Sequence, residues 1–430
     1  MSEGNPKVRI VGIGASAGGL ESLKTFFTEV PADSGFAFVI IQHLDPNHES
    51  LMAELLSRHT KMPVKAARDQ VPVEANHVYT IPPNTFVFVK DATLRLAQPF
   101  SNDGARMPID FFLRSLASDQ EAAAIAVILS GGGSDGTLGI REIHGAGGLV
   151  MVQDPETTQY RSMVESAIAT GLVDYVLPVR EIPAKLIEYV RHRPSIDTSD
   201  TDSSTGAVDG VLNLLATDNK HDFRAYKKNT VRRRIERRMG IHHISELSEY
   251  YDFVRRNSEE LAKLAKDLII SVTSFFRDPE AFKELLDKVI APLVQEHDPK
   301  EPLRVWIPGC ATGEEAYSIV ILLLEEMARA SKNTTLQVFA SDIDREALKR
   351  ARQGIYPGTI SVDISPERLA TFFIKQDGTY QVDQRVRDCL TFAEHNLILD
   401  PPFMRLDLVS CRNLLIYIEP AVQEKIVNLL

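Results

Sequence analysis

The chain has 430 residues, 44% hydrophobic and 25% charged, with a formal net charge of −11, so it can bury two or three cores and is too acidic for a general nucleic-acid or anionic-membrane binder. Three scattered cysteines, Cys310, Cys389 and Cys411, exclude a disulfide framework or a thiolate metal site and fit a reduced, cytoplasmic setting. The start "MSEGNPK" lacks an apolar signal segment and no stretch reaches the roughly 18 apolar residues of a membrane helix, so direct membrane insertion is not expected.

Through residues 1–192, the runs "VRIVGIG", "FAFVIIQH", "HVYTI", "TFVFVK", "AAIAVILSG", "GLVMVQD" and "DYVLP" alternate with helical patterns. Short continuous apolar runs of this kind predict an α/β domain with a parallel, doubly wound sheet covered on both faces. Leu20, Leu23, Phe27 and Val30 form the stripe of its first helix. Residues 193–210, which include "SIDTSDTDSSTGAVDG", are mostly Ser, Thr, Asp and Gly and read as a flexible linker. Residues 211–291 are charged and helical, a small all-α domain. Residues 292–430 return to alternation with "LRVWIPG", a long helix from Glu314, "LQVFASD", "TYQV", "CLTFAEHNL" and "LDLVSC", a second, Rossmann-like unit.

"VGIGASAGG" fits two templates. Gly12, Gly14 and Ala17 have dinucleotide-binding spacing, whereas Gly14-Ala15-Ser16-Ala17-Gly18 is a G-x-S-x-G nucleophile turn. A dinucleotide site wants an acid closing the next strand, and "FAFVIIQH" closes on Gln42 and His43, which weakens the phosphate reading. Ser16, His43 and Asp135, the last in "LSGGGSDG", all fall just past strand ends. Together they offer a nucleophile, a base that titrates near neutrality and an acid to orient it, with N–H groups near Ala17 and in Gly131–Gly133 to stabilise an oxyanion. These three segments, "IGASAGG", "IIQHL" and "LSGGGSDG", resemble the signature of the CheB-type chemotaxis methylesterases. The resemblance implies Ser16 as nucleophile, His43 as general base, Asp135 as its orienting partner and the Gly132 N–H as oxyanion donor. It also implies glutamyl methyl esters on chemoreceptor helices as substrates, and glutamine deamidation as a second reaction.

A second glycine turn, "RVWIPGCATGEEAYS", opens its helix with Glu314 and Glu315, which repel a pyrophosphate. Asp342, closing "LQVFASD", suits ribose hydroxyls, and the acidic surroundings suit a sulfonium cofactor such as S-adenosylmethionine. Acids capping a helix N-terminus explain Glu314 and Glu315 equally well. "SVTSFFRD", "GCATGEEAYS", "ASDIDREALKRARQGIY", "FAEHNL" and "LVSCRNLLIYI" together resemble the CheR-type receptor glutamate methyltransferases. That resemblance implies Thr273, Arg277, Glu314, Asp342, Asn396, Leu397, Arg412 and Asn413 as cofactor contacts. It also implies further strands beyond "CRNLLIYI", so the transferase half is expected to be incomplete at its C-terminus.

"YKKNTVRRRIERRMG" places Val231, Ile235 and Met239 on one stripe and Arg232, Arg233, Arg234, Arg237 and Arg238 off it. A solvated basic face, docking on acidic receptor helices and phosphate contact in a nucleic-acid methyltransferase all fit; the acidic total and the lack of interleaved aromatics speak against the last. The expectation is thus a bifunctional CheB–CheR-type chain acting on methyl-accepting chemoreceptors. The alternative is a signalling or docking scaffold with an inactive transferase half.

Overall fold

The computed structural model describes residues 8–42, 52–98, 107–193, 203–218, 222–269 and 272–430. They pack as two compact units, Met1–Val211 with Arg232–Glu260, and Leu212–Val231 with Leu261–Leu430. Among the described residues no helix is long and apolar enough to cross a membrane.

The first stretch runs β1 (Arg9–Ala15), α1 (Gly19–Glu29), β2 (Phe36–Gln42), α2 (Met52–Ser57), β3 (Val64–Ala66), β4 (Val71–Pro72), β5 (His77–Thr80), β6 (Phe86–Lys90), β7 (Thr93–Ala97), α3 (Pro108–Gln120), β8 (Ile125–Ile128), α4 (Thr137–Ala146), β9 (Leu149–Gln153), α5 (Ser162–Ala169), β10 (Tyr175–Leu177) and α6 (Ile182–His192). Seven strands make one sheet, ordered β10-β9-β8-β1-β2-β5-β3, with every pairing parallel. The central strands β1, β2, β8 and β9 bury both faces, while the edge strands β3 and β10 are partly exposed. Ala37, Val39 and Ile41 of β2 join the core under α3, α4 and α5, while Phe36, Phe38 and Ile40 join the one under α1, α2 and α6.

Two features depart from a purely parallel reading. "TFVFVK" forms β6 of a separate antiparallel sheet, β4-β7-β6, because Asp91 and Ala92 take left-handed φ values of 52° and 51° and fold it onto β7 as a two-residue hairpin. The glycines of β1 serve packing. A Cβ on Gly12 would come within 2.8 Å of Leu113, and one on Gly14 within 2.7 Å of Ile109, so both admit α3 against the strand.

The helices that follow are α7 (Ser203–Asp218), α8 (Lys228–His242), α9 (Leu247–Arg256), α10 (Ser258–Leu268), α11 (Pro279–Leu285), a π turn (Leu286–Ile290) and α12 (Ala291–Glu296). Residues 194–202 of the expected linker lie outside the described residues, and its end is corrected: the chain is helical from Ser203. Val208, Val211, Leu212 and Leu215, at helical spacing and buried, outweigh the polar composition before them. The basic face of α8 is corrected too. Within the first unit Arg234 donates to the carbonyls of His144 and Gly145, Arg237 to Gly148 O and the Asp174 carboxylate, and Arg238 to Glu260. These arginines are buried and paired, so α8 offers no solvated run of guanidinium groups for phosphate.

The second unit continues with β11 (Leu303–Pro308), α13 (Glu314–Arg329), β12 (Leu336–Asp342), α14 (Arg345–Gln353), β13 (Ile355–Pro357), α15 (Pro366–Phe372), β14 (Phe373–Gln376), β15 (Thr379–Val382), α16 (Gln384–Arg387), β16 (Leu390–Glu394), β17 (Leu408–Val409) and α17 (Pro420–Leu429). Its parallel sheet is ordered β16-β12-β11-β17, and β13, β15 and β14 form a small antiparallel insert.

Candidate active sites

In the first sheet the chain leaves β1 for β2 on one side and later returns to β8 on the other, so the switch point lies between β1 and β8. Ser16 stands there. Its N–H donates to Ser130 O across the crevice at 3.1 Å, its carbonyl accepts from Gly19 at 2.9 Å, and Gly18, at φ 72°, turns the chain into α1. The opposing loop must come close. A Cβ on Gly131 would lie 2.9 Å from the Ser16 Cβ, which only glycine avoids.

In that loop the Gly131 N–H donates to Tyr160 O at 3.2 Å and the Gly133 N–H to Ser162 Oγ at 3.0 Å. Between them the Gly132 N–H has no protein acceptor among the described residues. Asp135 is buried beneath, its carboxylate accepting the Ile109 and Asp110 amides at the start of α3 at 2.9 Å each. Free helix N–H groups favour negative charge there. Asp110 lies beside it, accepting the Gly139 N–H at 2.7 Å. Burial first, and then the charge of Asp135, push the Asp110 carboxyl well above the usual carboxylate range. The structure thus places Ser16 and the loop carrying Asp135 at adjoining strand ends. His43 follows Gln42, the partner of Ala15 in the sheet register, and lies outside the described residues.

Three further residues stand at this rim: Ser130, which lies within "LSGGGSDG" without a role assigned by it, Gln153 and Tyr160. Gln153 closes β9, one strand beyond β8, and the rule that sites gather at the carboxyl ends of parallel strands is the signal that points to it. The Tyr160 ring packs against Gly18, where an added Cβ would meet it at 2.8 Å.

In the second unit the chain passes from β11 to β12 and β16 on one side and to β17 on the other, so the switch point lies between β11 and β17. A cleft of about 1000 Å³, part of it open to solvent, lies there. Thr273, Arg277, Asp342, Asn396, Leu397, Arg412 and Asn413 all line it. Glu314 is not among the lining residues. It turns inward, 2% exposed, and accepts the Thr312 hydroxyl at 2.6 Å, while its neighbour Glu315 lines the cleft and accepts Ser410 Oγ at 2.8 Å. Burial raises the Glu315 carboxyl above its ordinary value, opposed by the Ser410 hydroxyl.

Asp342 accepts the Ala311 N–H at 2.8 Å on one oxygen and the Asp344 N–H at 2.9 Å on the other, with the Ile343 N–H as a third backbone donor, which leaves one acceptor position for a further donor. Burial raises its carboxyl above the usual range. Arg277 donates to Val272 O at 2.9 Å, and Arg412 to Arg277 O at 2.9 Å while stacking over Phe282. Ala311 and Asn413, which line the cleft, adopt left-handed φ of 47° and 56°. An acid with a spare acceptor position and an apolar wall at Leu397 fit a nucleoside, and the carboxylates Glu315 and Asp342 share the cleft with the guanidinium groups of Arg277 and Arg412.

A serine at one switch point and an open cleft at another mark two α/β units in this chain, each with its own candidate site. Family comparison then places it. Residues 11–186 match the CheB methylesterase family, residues 208–269 the all-alpha domain of the CheR methyltransferases, and residues 271–430 their SAM binding domain. The chain belongs to both families, fused in one polypeptide, and S-adenosylmethionine is the cofactor of the second. A 104.1 kDa uncharacterized protein of Rhodobacter capsulatus is 39% identical over 87% of this chain, and the chain spans 42% of that relative's length. A putative methyltransferase of Pseudomonas putida is 34% identical over 49% of this chain and 77% of its own. A putative protein-glutamate methylesterase/protein-glutamine glutaminase of Leptospira interrogans is 33% identical over 40% of this chain and 89% of its own.

Proposed function

We propose that this chain sets the methylation level of glutamates on chemoreceptor cytoplasmic helices, hydrolysing their methyl esters at the Ser16 site and forming them at the Asp342 cleft, in the cytoplasm. The observation that supports this best is the seating of Ser16 at the β1–β8 switch point, against a glycine loop with an amide to spare. In this reading Ser16 attacks the ester carbonyl, His43 takes the hydroxyl proton and returns it to the departing methanol, Asp135 orients the imidazole, and a water deprotonated by His43 then cleaves the glutamyl ester from Ser16 to release the carboxylate. The Gly132 N–H meets the oxyanion. Glutamine deamidation follows the same course with ammonia leaving.

At the second site Asp342 holds the ribose hydroxyls, while Asn396, Leu397 and Asn413 bound the base and Thr273, Arg277 and Arg412 the remainder. S-adenosylmethionine supplies an activated methyl group when bound, so the receptor carboxylate needs no general base and the residues act by positioning. Ser16→Ala tests the first half: methanol release from a methylated receptor fragment should fall by about 10³-fold or more, the scale set by loss of a nucleophile. Release at the parental rate refutes the assignment.

A further inference from the structure

Ser130 ties together the two loops of the esterase site. It is 1% exposed at the end of β8. Its carbonyl accepts the Ser16 N–H at 3.1 Å, and its hydroxyl donates to Ala17 O at 3.2 Å, with Tyr160 O a second acceptor at 3.4 Å. One residue therefore holds the Ser16 N–H through its carbonyl and, one peptide beyond Ser16, the Ala17 carbonyl through its hydroxyl. Its own N–H donates to Gln153 Oε1 at 3.0 Å. Gln153, also 1% exposed, cannot turn over, because its Nε2 donates to Thr157 O at 3.2 Å and so leaves Oε1 facing Ser130. Two residues further along the same loop is the Gly132 N–H.

We propose that Ser130, braced by Gln153, is a positioning residue of the esterase site, fixing the Ser16 turn against the Gly132 amide. Nucleophile and oxyanion donor belong to different strand ends, β1 and β8, which backbone bonds already join, Leu129 N–H to Gly14 O at 2.9 Å and Ser16 N–H to Ser130 O at 3.1 Å. To these the Ser130 hydroxyl adds a side-chain link at the Ala17 carbonyl, just past the nucleophile, while the Gln153 amide holds the Ser130 N–H in place. Neither side chain need touch substrate. This rests on the reading of Ser16 as nucleophile.

The test uses the full chain, a fluorophosphonate probe that labels activated serines, and ester turnover on a methylated receptor fragment. For Ser130→Ala the labelling rate and kcat should fall by about 100-fold, the scale of roughly 1 Å of misplacement, with KM and the unfolding midpoint held. The pH midpoint of labelling should not move, because the base is untouched. Ser130→Thr, which restores the hydroxyl, should recover most of the rate. Gln153→Met keeps that hydroxyl but removes its brace, and should cost about tenfold by partial misplacement. Rates for Ser130→Ala close to the parent, no recovery with threonine, a loss confined to KM, or an unaffected Gln153→Met would each overturn the proposal. Failure of the underlying reading has its own signature: Ser16→Ala would then keep turnover and labelling, which also removes the ground for a brace.

Discussion

Arg237 offers a quantitative test of how α8 joins the first unit. Its side chain is 1% exposed and pairs with Asp174, itself 5% exposed, while its Nε donates to Gly148 O at 3.0 Å. Replacing it with methionine keeps most of the apolar stem but leaves Asp174 buried with the Val150 N–H, at 2.9 Å, as its remaining partner among those described. A buried charge stripped of its counter-ion costs about 3–5 kcal/mol. The one remaining amide argues for the lower end, about 3 kcal/mol, which moves a urea midpoint by about 1 M or more. Adding Asp174→Asn removes the orphaned charge, so the double variant should recover at least half of the loss. Far-UV circular dichroism in urea reads the transition. The single tryptophan, Trp306, lies in the second unit and its emission provides an internal reference. A cost below about 1 kcal/mol for Arg237→Met, or a double variant as unstable as the single, would refute the buried pair as an organising contact.

Two further outcomes follow from the carboxyl groups. Asp110 has a folded pKa raised above its ordinary 3.8 by burial and by Asp135, so the folded state holds a proton that the unfolded state has lost. The stability this represents is complete below pH 3.8 and drains away as the pH climbs through the raised value. Asp110→Asn, which keeps the acceptor for Gly139, should therefore match the parent near pH 4 and exceed it at pH 7 to 8 in urea unfolding; equal stability throughout would contradict a strained carboxyl. Asp342→Asn replaces one of two amide-bound oxygens with a donor, and should weaken S-adenosylmethionine binding by calorimetry at least tenfold, from a charged hydrogen bond worth about 1.5–3 kcal/mol. Unchanged affinity would move the ribose elsewhere.

Much of this was legible before any coordinates, for identifiable reasons. The central strands of the main sheet bury both faces, so they read as continuous apolar runs, but such runs lack the alternation that specifies a register, and the pairing of Ala15 with Gln42 is not legible in them. Ser16 stood out because a glycine turn at a strand end is a local signal, and Asp342 because it closes a strand. The double meaning of "VGIGASAGG" required three dimensions: Gly12 and Gly14 match a phosphate-binding spacing while serving to admit Leu113 and Ile109. The α8 arginines misled for a related reason. Their spacing marks them as lying off the apolar stripe, but the groups that receive them, the end carbonyls of α4 and the Asp174 carboxylate, are distant in sequence. Glu314 and Glu315 are adjacent and chemically alike, and only the first turn of α13 decides that one faces the core and the other the cleft.

The two switch points solve different chemical problems, and their construction follows. Ester hydrolysis needs a proton moved and an oxyanion held at a separation tolerant of little error. The first site accordingly is narrow, closed by glycines that allow Ser16 and Gly131 to touch, and cross-linked by Ser130 and Gln153. Methyl transfer to a carboxylate moves no proton and depends on holding a large cofactor in line with its acceptor. The second site accordingly is a broad cleft whose polar groups are mostly spent on one another, Glu315 on Ser410 and Arg412 on the Arg277 carbonyl, so that shape rather than a titrating residue governs the step. On the proposed reading, with His43 as the base, methanol release should vary with pH near neutrality and methyl transfer far less, and equal pH profiles for the two would refute it.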